Sequence, residues 1–286
     1  ALLLAFIKSR VLYVPKKLEA AAFWVPLLIA LMAAAFAAYM AMKGLTKVWK
    51  FDSVEIMLIS GIAFVLAWLG SRPFIKRQIS RLDDTRSNVN SLFDLPLILG
   101  AALLSFAHGA NDVANAVGPL AAIVSTLNGP GGIESQVSIP LWVMVVGAFG
   151  IAVGLVTFGP KLIKVVGEQI TRLNSTRAYC VALSAAITVL IATSLGLPVS
   201  STHIAVGAVF GVGFLREYLE NPNRRKLRPG HKLNATATDA FNSRNARRSR
   251  YLVRRRFLWS IAMAWVVTVP ATAGLAAVIY ALLQLL

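Results

Sequence analysis

The stretch "SFAHGANDVANAVGP" (Ser105–Pro119) lies in the middle of a very apolar sequence, and the fold turns on how it is read. Between His108 and Asn115 it places a His, an Asp and two Asn. A water-soluble helix would put such a run on a wet face. The composition argues against that setting. The 286 residues are 57% hydrophobic and 14% charged, and the mean hydropathy is +0.68. Ala20–Met42 and Phe257–Leu286 are long enough to cross a bilayer, which needs about 20 apolar residues. From Ala178 to Leu215 there is no Asp, Glu, Lys or Arg. Helices buried in a soluble protein would show polar faces at helical period, and these runs show none. The sequence reads as an all-α integral membrane protein.

The net charge of +17 would suggest nucleic acid in a soluble chain. Here the basic residues collect between the apolar runs, as cytoplasmic loops do, so no nucleic-acid partner is expected. About seven segments emerge, at roughly 20–42, 54–71, 95–127, 139–159, 178–197, 203–218 and 257–286. The second is short, and the third is too long for a plain span. Basic connections run from Arg72 to Asp94, from Lys161 to Arg177 and from Arg216 to Arg256, the last with clusters at Arg224–Lys226, Arg247–Arg248 and Arg254–Arg256. The connection Asn128–Ser138 has one acid and no base. Placing basic connections in the cytoplasm requires the fifth and sixth segments together to return to one side. Lys43, Lys47 and Lys50 then fall outside, partly offset by Asp52 and Glu55. The expected location is a bacterial inner membrane, in contact with lipid.

Four regions follow: N-terminal spans and a basic connection (1–94), a transport core (95–218), a basic cytoplasmic loop (219–256) and a C-terminal span (257–286). The tripeptide Asn234–Thr236 in the basic loop is formally a glycosylation acceptor, read as chance in a cytoplasmic segment. Cys180, the single cysteine, has no partner for an internal disulfide. The first residue is Ala1, inside an apolar run, which suggests processing or a sequence that begins within a longer protein.

An Asp at membrane depth costs on the order of 2.5–3.5 kcal/mol on insertion scales, so it is expected to face a pathway or a ligand. His108, Asn111, Asp112, Asn115 and Gly118 recur at three- and four-residue intervals and form one stripe on a helix. Gly109 is a weak point in that helix, and Asn or Asp caps one that restarts, so a discontinuous helix is expected here. Asn and Asp oxygens ligate cations. A stripe that merely joins helices through hydrogen bonds is the plainer alternative.

A second polar break lies in "SLGLPVSSTHIAVGAVFG" (Ser194–Gly211). Pro198 is expected to end the preceding helix. Ser200, Ser201 and Thr202 then supply hydroxyls and N-caps for a helix starting near His203. Free N–H groups and hydroxyls at a helix start suit a phosphate-like anion. The flanking segments suit a re-entrant hairpin. His203 either touches the anion, exchanges a proton, or only caps and packs. An acceptor-rich stripe and an anion-friendly helix start together suit an ion-coupled anion carrier.

"SFAHGANDVANAVGPLAAI" and "LPVSSTHIAVGAVFGVG" resemble the signatures of the inorganic phosphate transporter (PiT) family. The resemblance is strongest from Leu95 to Tyr218. It implies a symporter with two inverted-topology repeats, each carrying G-x-N-D and a later Ser/Thr-rich helix start. Carried over by motif, Ser200, Ser201, Thr202 and Asn111 bind phosphate, and Asp112 and Asn115 belong to the coupling-cation site. His108 and His203 are candidate proton or anion contacts. Sodium or a proton is the coupling ion, with no other metal or cofactor. G-x-N-D occurs once, at Gly109–Asp112, so the first repeat is missing upstream or a second copy of the chain replaces it in a homodimer.

Three rivals remain. A sulfate permease of the same family would use an unprotonated anion, whereas a site able to accept a hydrogen favours phosphate, and Asp112 is the candidate acceptor. A membrane hydrolase would use Ser200 or Ser201 with His203, or a metal held by His108 and Asp112. Two residues on one helix start diverge, no orienting acid is identifiable, and one His and one Asp are too few ligands. A non-transporting receptor on the same fold is the third.

Overall fold

The computed structural model describes residues 1–45, 49–128, 139–164, 170–171, 173–197, 199–220 and 253–285. Helices account for its regular structure, and no strand occurs among the described residues. In chain order they are α1 (Leu2–Ile7), α2 (Lys17–Tyr39), α3 (Ser53–Ile79), α4 (Arg86–Ser91), α5 (Asp94–Asn128), α6 (Leu141–Lys164), α7 (Ser175–Ser194), α8 (Ser201–Glu220) and α9 (Arg255–Leu283). Single π-helical turns, Lys8–Leu12 and Met40–Gly44, extend α1 and α2.

Six of these stretches are long and apolar enough to cross a membrane: Lys17–Met42, Ser53–Ile79, Arg86–Leu127, Leu141–Lys161, Ser175–Ser194 and Arg255–Leu283. The protein is an integral membrane protein. Helix starts follow local chemistry. Asp52 and Glu55 form a capping box at α3, with Asp52 N donating to Glu55 Oε2 at 2.9 Å. Thr85 Oγ1 accepts from Asn88 N at α4, and Asn174 Oδ1 from Arg177 N at α7.

At the centre, α7 packs on α1, α2, α4, α5 and α8. Tyr179, Cys180, Ala185, Ala186 and Val189 are fully enclosed there. The Tyr179 ring meets Phe93 at 5.6 Å between centroids. Lipid is as apolar as a leucine side chain, so close packing between small residues holds such helices together. Opposite Gly100 of α5, Ala182 and Tyr179 stand at contact distance. Helix α9, by contrast, is almost wholly exposed, as for a helix bathed in lipid, while α3 lays one side along α2 and leaves the other exposed.

Three expectations need correction. The second segment is not short: α3 runs 27 residues and carries Arg72, Lys76 and Arg77 on the helix itself. Long basic side chains reach an interface from a helix end, so charge need not end a span. Arg72 folds back over the Trp68 ring at 4.1 Å.

Nor is the helix broken at Gly109. Throughout its 35 residues α5 is continuous, past Gly109 and Pro119. Among the described residues Gly196 alone among glycines has a positive φ, so Gly109 is an ordinary helical residue. The polar side chains that would cap a restart bond across to another element instead.

The third concerns the end of α7, which comes at Ser194, ahead of Pro198. Gly196, at φ +71°, closes the helix in a Schellman motif, with Leu197 N donating to Ala192 O and Gly196 N to Thr193 O. Pro198 itself lies outside the described residues, as do Lys47, most of the acidic connection and the loop between α8 and α9 with Asn234.

Candidate functional site

At about 1.5 Å per residue α5 is some 52 Å long, well beyond the ~30 Å hydrocarbon core. Asn111 and Asp112 fall at its midpoint. Against that midpoint stands the tip of a hairpin formed by α7 and α8, whose connection is Leu195–Ser200. The hairpin expected from the loop charges is present, and its tip reaches the level of the polar stripe.

Hydrogen bonds join the two elements. Asn111 Nδ2 donates to the carbonyl of Val199 at 2.6 Å, and Asn115 Nδ2 reaches the same oxygen at 3.3 Å. Thr193 Oγ1, at the end of α7, donates to Asn111 Oδ1 at 3.4 Å. Around the carboxylate of Asp112, Oδ1 accepts from Asn111 Nδ2 at 2.8 Å and Oδ2 accepts from Ser201 Oγ at 2.8 Å. His108 Nδ1 stands 2.9 Å from Asp112 Oδ2 and 2.5 Å from Ser201 Oγ. An ionised carboxylate only accepts, so a hydrogen bond from His108 to Asp112 requires the tautomer with its proton on Nδ1. Asn111 and Ser201 are buried, Asp112 is half-buried and Asn115 is exposed.

His108, Asn111, Asp112, Asn115 and Ser201 thus converge. Ser200, Thr202 and His203 do not join them, because three consecutive residues at a helix start point in different directions. Ser200 caps α8, its Oγ accepting from His203 N at 3.3 Å and lying against His203 Nδ1. The His203 ring packs on Trp265 of α9, 4.0 Å between centroids. Thr202 turns into a cavity of about 650 Å³ between α5, α6 and α8. That cavity is walled mainly by apolar side chains such as Ile151, Leu155 and Val206, with Ser105, His108, Ser201 and Thr202 as its polar groups. The site therefore borders a space large enough for a small solvated anion.

Two further acceptors come from the backbone. The Val199 carbonyl carries no side-chain signature and was invisible in the sequence. Pro119 has no N–H to offer the carbonyl of Asn115, four residues earlier, which leaves that oxygen without its helical donor. That signal was legible, since an N-x-x-x-P spacing inside a helix always frees a carbonyl. Thr193 lies four residues before the expected helix end at 197, without any pattern to single it out.

The same geometry weighs against serine hydrolysis. A base that relays a proton uses one ring nitrogen for the acid and the other for the serine. Here Nδ1 of His108 faces both Asp112 and Ser201. Among the described residues no group of three or more His, Cys, Asp or Glu is arranged to hold a metal.

A sequence profile described as the Phosphate transporter family matches residues 1–276. The chain belongs to that family. Across 228 residues it is 52% identical to a Helicobacter pylori protein named "Putative phosphate permease", which covers 78% of the chain and 42% of that relative. It is 34% identical over 202 residues to the human sodium-dependent phosphate transporter 1, covering 71% of the chain and 25% of the relative. Among solved structures, one titled the sodium-dependent phosphate transporter superposes with a TM-score of 0.77 at 29% identity. That superposition covers 100% of this chain and 62% of the other. The chain thus spans less than half the length of these curated relatives.

Proposed function

We propose that this phosphate transporter family chain carries inorganic phosphate across a bacterial inner membrane, coupled to a cation. The observation that carries the reading is the Asp112 carboxylate, held at the midpoint of α5 by Asn111 and Ser201 and facing the α7–α8 hairpin tip. A fixed carboxylate near the backbone carbonyl of Val199, whose oxygen has a second lone pair, attracts a small cation. A bound cation in turn lowers the electrostatic cost of placing phosphate in the adjoining cavity, where two bare anions would repel. The first-turn N–H groups of α8 lack partners within their own helix and add positive potential on the cavity side. Asp112 and Asn115, with the carbonyl of Val199, form the cation side. Asn111, Ser201 and Thr202 form the phosphate side, with Ser200 shaping the helix start. His108 is the group that would exchange a proton if the coupling ion is one. His203, the other candidate proton or anion contact, packs on Trp265 away from the carboxylate cluster. The names of the human relative and the superposed structure favour sodium. The basic connections face the cytoplasm, and a second half with its own G-x-N-D, from the same polypeptide or a second copy, completes the site.

The test is uptake of labelled phosphate by proteoliposomes containing the protein, under sodium and proton gradients in turn, with sulfate as competitor. Phosphate uptake driven by one gradient and resistant to sulfate supports the reading. Uptake driven equally without any cation gradient, or abolished by sulfate at equal concentration, overturns it.

A further inference from the structure

A second large groove, outside the transport site, runs between α3 and α5, both of which pack on α2. Its volume is about 640 Å³, within the range of small-molecule sites. Met32 and Phe36 line it from α2, Gly70 and Phe74 from α3, and Leu99 and Phe106 from α5. Among the described residues lining it only Ser71 is polar, and its hydroxyl already donates to the Trp68 carbonyl at 3.3 Å. Such a surface offers nothing to water or to a transported ion, so the occupant is apolar where it lies in the groove.

Length, polarity and aperture together define that occupant. From Leu95 to Phe106, α5 contributes about 16 Å of helix to the groove. That is half of the ~30 Å hydrocarbon core, the depth of one leaflet and the reach of one acyl chain. One end is closed by rings: Phe36 meets Phe106 edge to face at 5.1 Å between centroids, and Tyr39 packs on the same Phe106 ring at 6.0 Å. The other end is basic. Gly70 and Arg77 stand seven residues apart, two turns along the same side of α3, so the wall at Gly70 leads to a guanidinium. Arg81 follows just past the end of α3, and both arginines are exposed. Asp84, beyond them, accepts from Lys17 N, which places this end of α3 beside the start of α2 and away from Phe36. Asp83 and Asp94 are further acids near this end of the sequence, Asp94 opening α5. Basic side chains at the end of a span attract anionic headgroups. The groove opens sideways, where Gly70, Phe74 and Leu99 are exposed, and a Cβ on Gly70 would meet no atom within 4 Å.

We infer that the groove between α2, α3 and α5 binds one anionic phospholipid, with an acyl chain along Met32 and Leu99 and its phosphate at Arg77 and Arg81. None of the proposed transport-site residues lines this groove, so the assignment stands or falls independently of the transport reading.

The test maps lipid contacts. The protein is placed in nanodiscs of phosphatidylcholine with a trace of phosphatidylglycerol bearing a photoactivatable diazirine in one acyl chain, and labelled peptides are identified by mass spectrometry. Helix α9, exposed along its length, reports random contact with the bilayer. Labelling of the groove peptides of α2 and α5 is expected to exceed that of α9. Replacing phosphatidylcholine by unlabelled phosphatidylglycerol, at constant probe, should remove the groove labelling and leave that of α9 unchanged. Gly70→Leu fills the groove from a position where a Cβ meets nothing, and is expected to abolish groove labelling with the elution profile retained. Arg77→Gln should weaken it about fivefold, the contribution of one basic group, and Arg77→Lys should retain most of it. Groove labelling no stronger than that of α9, or indifferent to phosphatidylglycerol, to Gly70→Leu or to Arg77→Gln, overturns the assignment. So does a Leu99→Cys variant that forms a disulfide-linked dimer in the nanodisc while the groove stays unlabelled, which would give the groove to a second copy of the chain.

Discussion

At the scale of single residues, the proposed transport site turns on Asp112. Its two oxygens are held by different elements, Asn111 from α5 and Ser201 from α8, so it also reports the position of the hairpin. Asp112→Asn keeps the size and removes the charge. Hydrogen bonds to a charged group contribute about 1.5–3 kcal/mol. Gradient-driven phosphate uptake is therefore expected to fall at least tenfold while detergent-solubilised protein keeps its elution profile. Undiminished coupled uptake would remove the carboxylate from the mechanism. Thr202 faces the cavity and touches none of the carboxylate cluster, whereas Ser201 does both. Thr202→Ala should raise KM for phosphate with little change in kcat, and Ser201→Ala should lower kcat as well. Identical kinetic profiles for the two variants would contradict this division.

At the scale of elements, the α7–α8 hairpin depends on how α7 stops. Gly196 adopts a left-handed conformation that costs an L-residue about 1–2 kcal/mol. Gly196→Ala is expected to lower thermal stability by that amount and to loosen the contact between Val199 and Asn111. An unchanged unfolding temperature would show that the tip does not need this turn. The approach of α5 to α6 is just as constrained. A Cβ on Gly147 would lie 2.6 Å from Val117 Cγ2, a branched side chain with little room to yield. Gly147→Ala should cost about 1–3 kcal/mol of stability through overpacking, measured by thermal unfolding in detergent. Full stability would mean that the two helices stand farther apart.

At the scale of the whole molecule, a broad apolar surface surrounds a small packed centre. Helix α9 has no buried residue, and Trp259, Val266 and Leu283 are exposed along its length. In water such a surface would drive aggregation, whereas in a bilayer it is the solvated face. Val266→Lys is expected to impair membrane insertion by about 2.5–3.5 kcal/mol on a translocon scale. An unaffected insertion efficiency would place this face against protein or water instead. The internal contacts radiate from α7, which buries Tyr179 and a row of alanines against α5. A small pocket lined by Lys8, Arg86 and Arg177 lies at the other end of α7, next to its capped N-terminus.

By itself the sequence determined the membrane class, the approximate helices and the two segments that meet at the site. Those properties are local sums: hydropathy over about 20 residues, a three-and-four spacing, a cap or a proline at a fixed offset. It also carried the family, through the Ser105–Pro119 and Ser200–His203 signatures. Whether α5 breaks at Gly109 was not legible, because a glycine permits a break without requiring one, and the partners that keep the helix whole sit some 80 residues away at Val199 and Thr193. Nor could spacing tell which of Ser200, Ser201 and Thr202 would meet Asp112, since neighbours at a helix start differ in direction by about 100° and only the docking angle of α8 selects one. The Lys8 pocket gave no signal at all. Its three cations come from positions 8, 86 and 177, and only the packing of α1 and α4 onto α7 brings them to one small cleft.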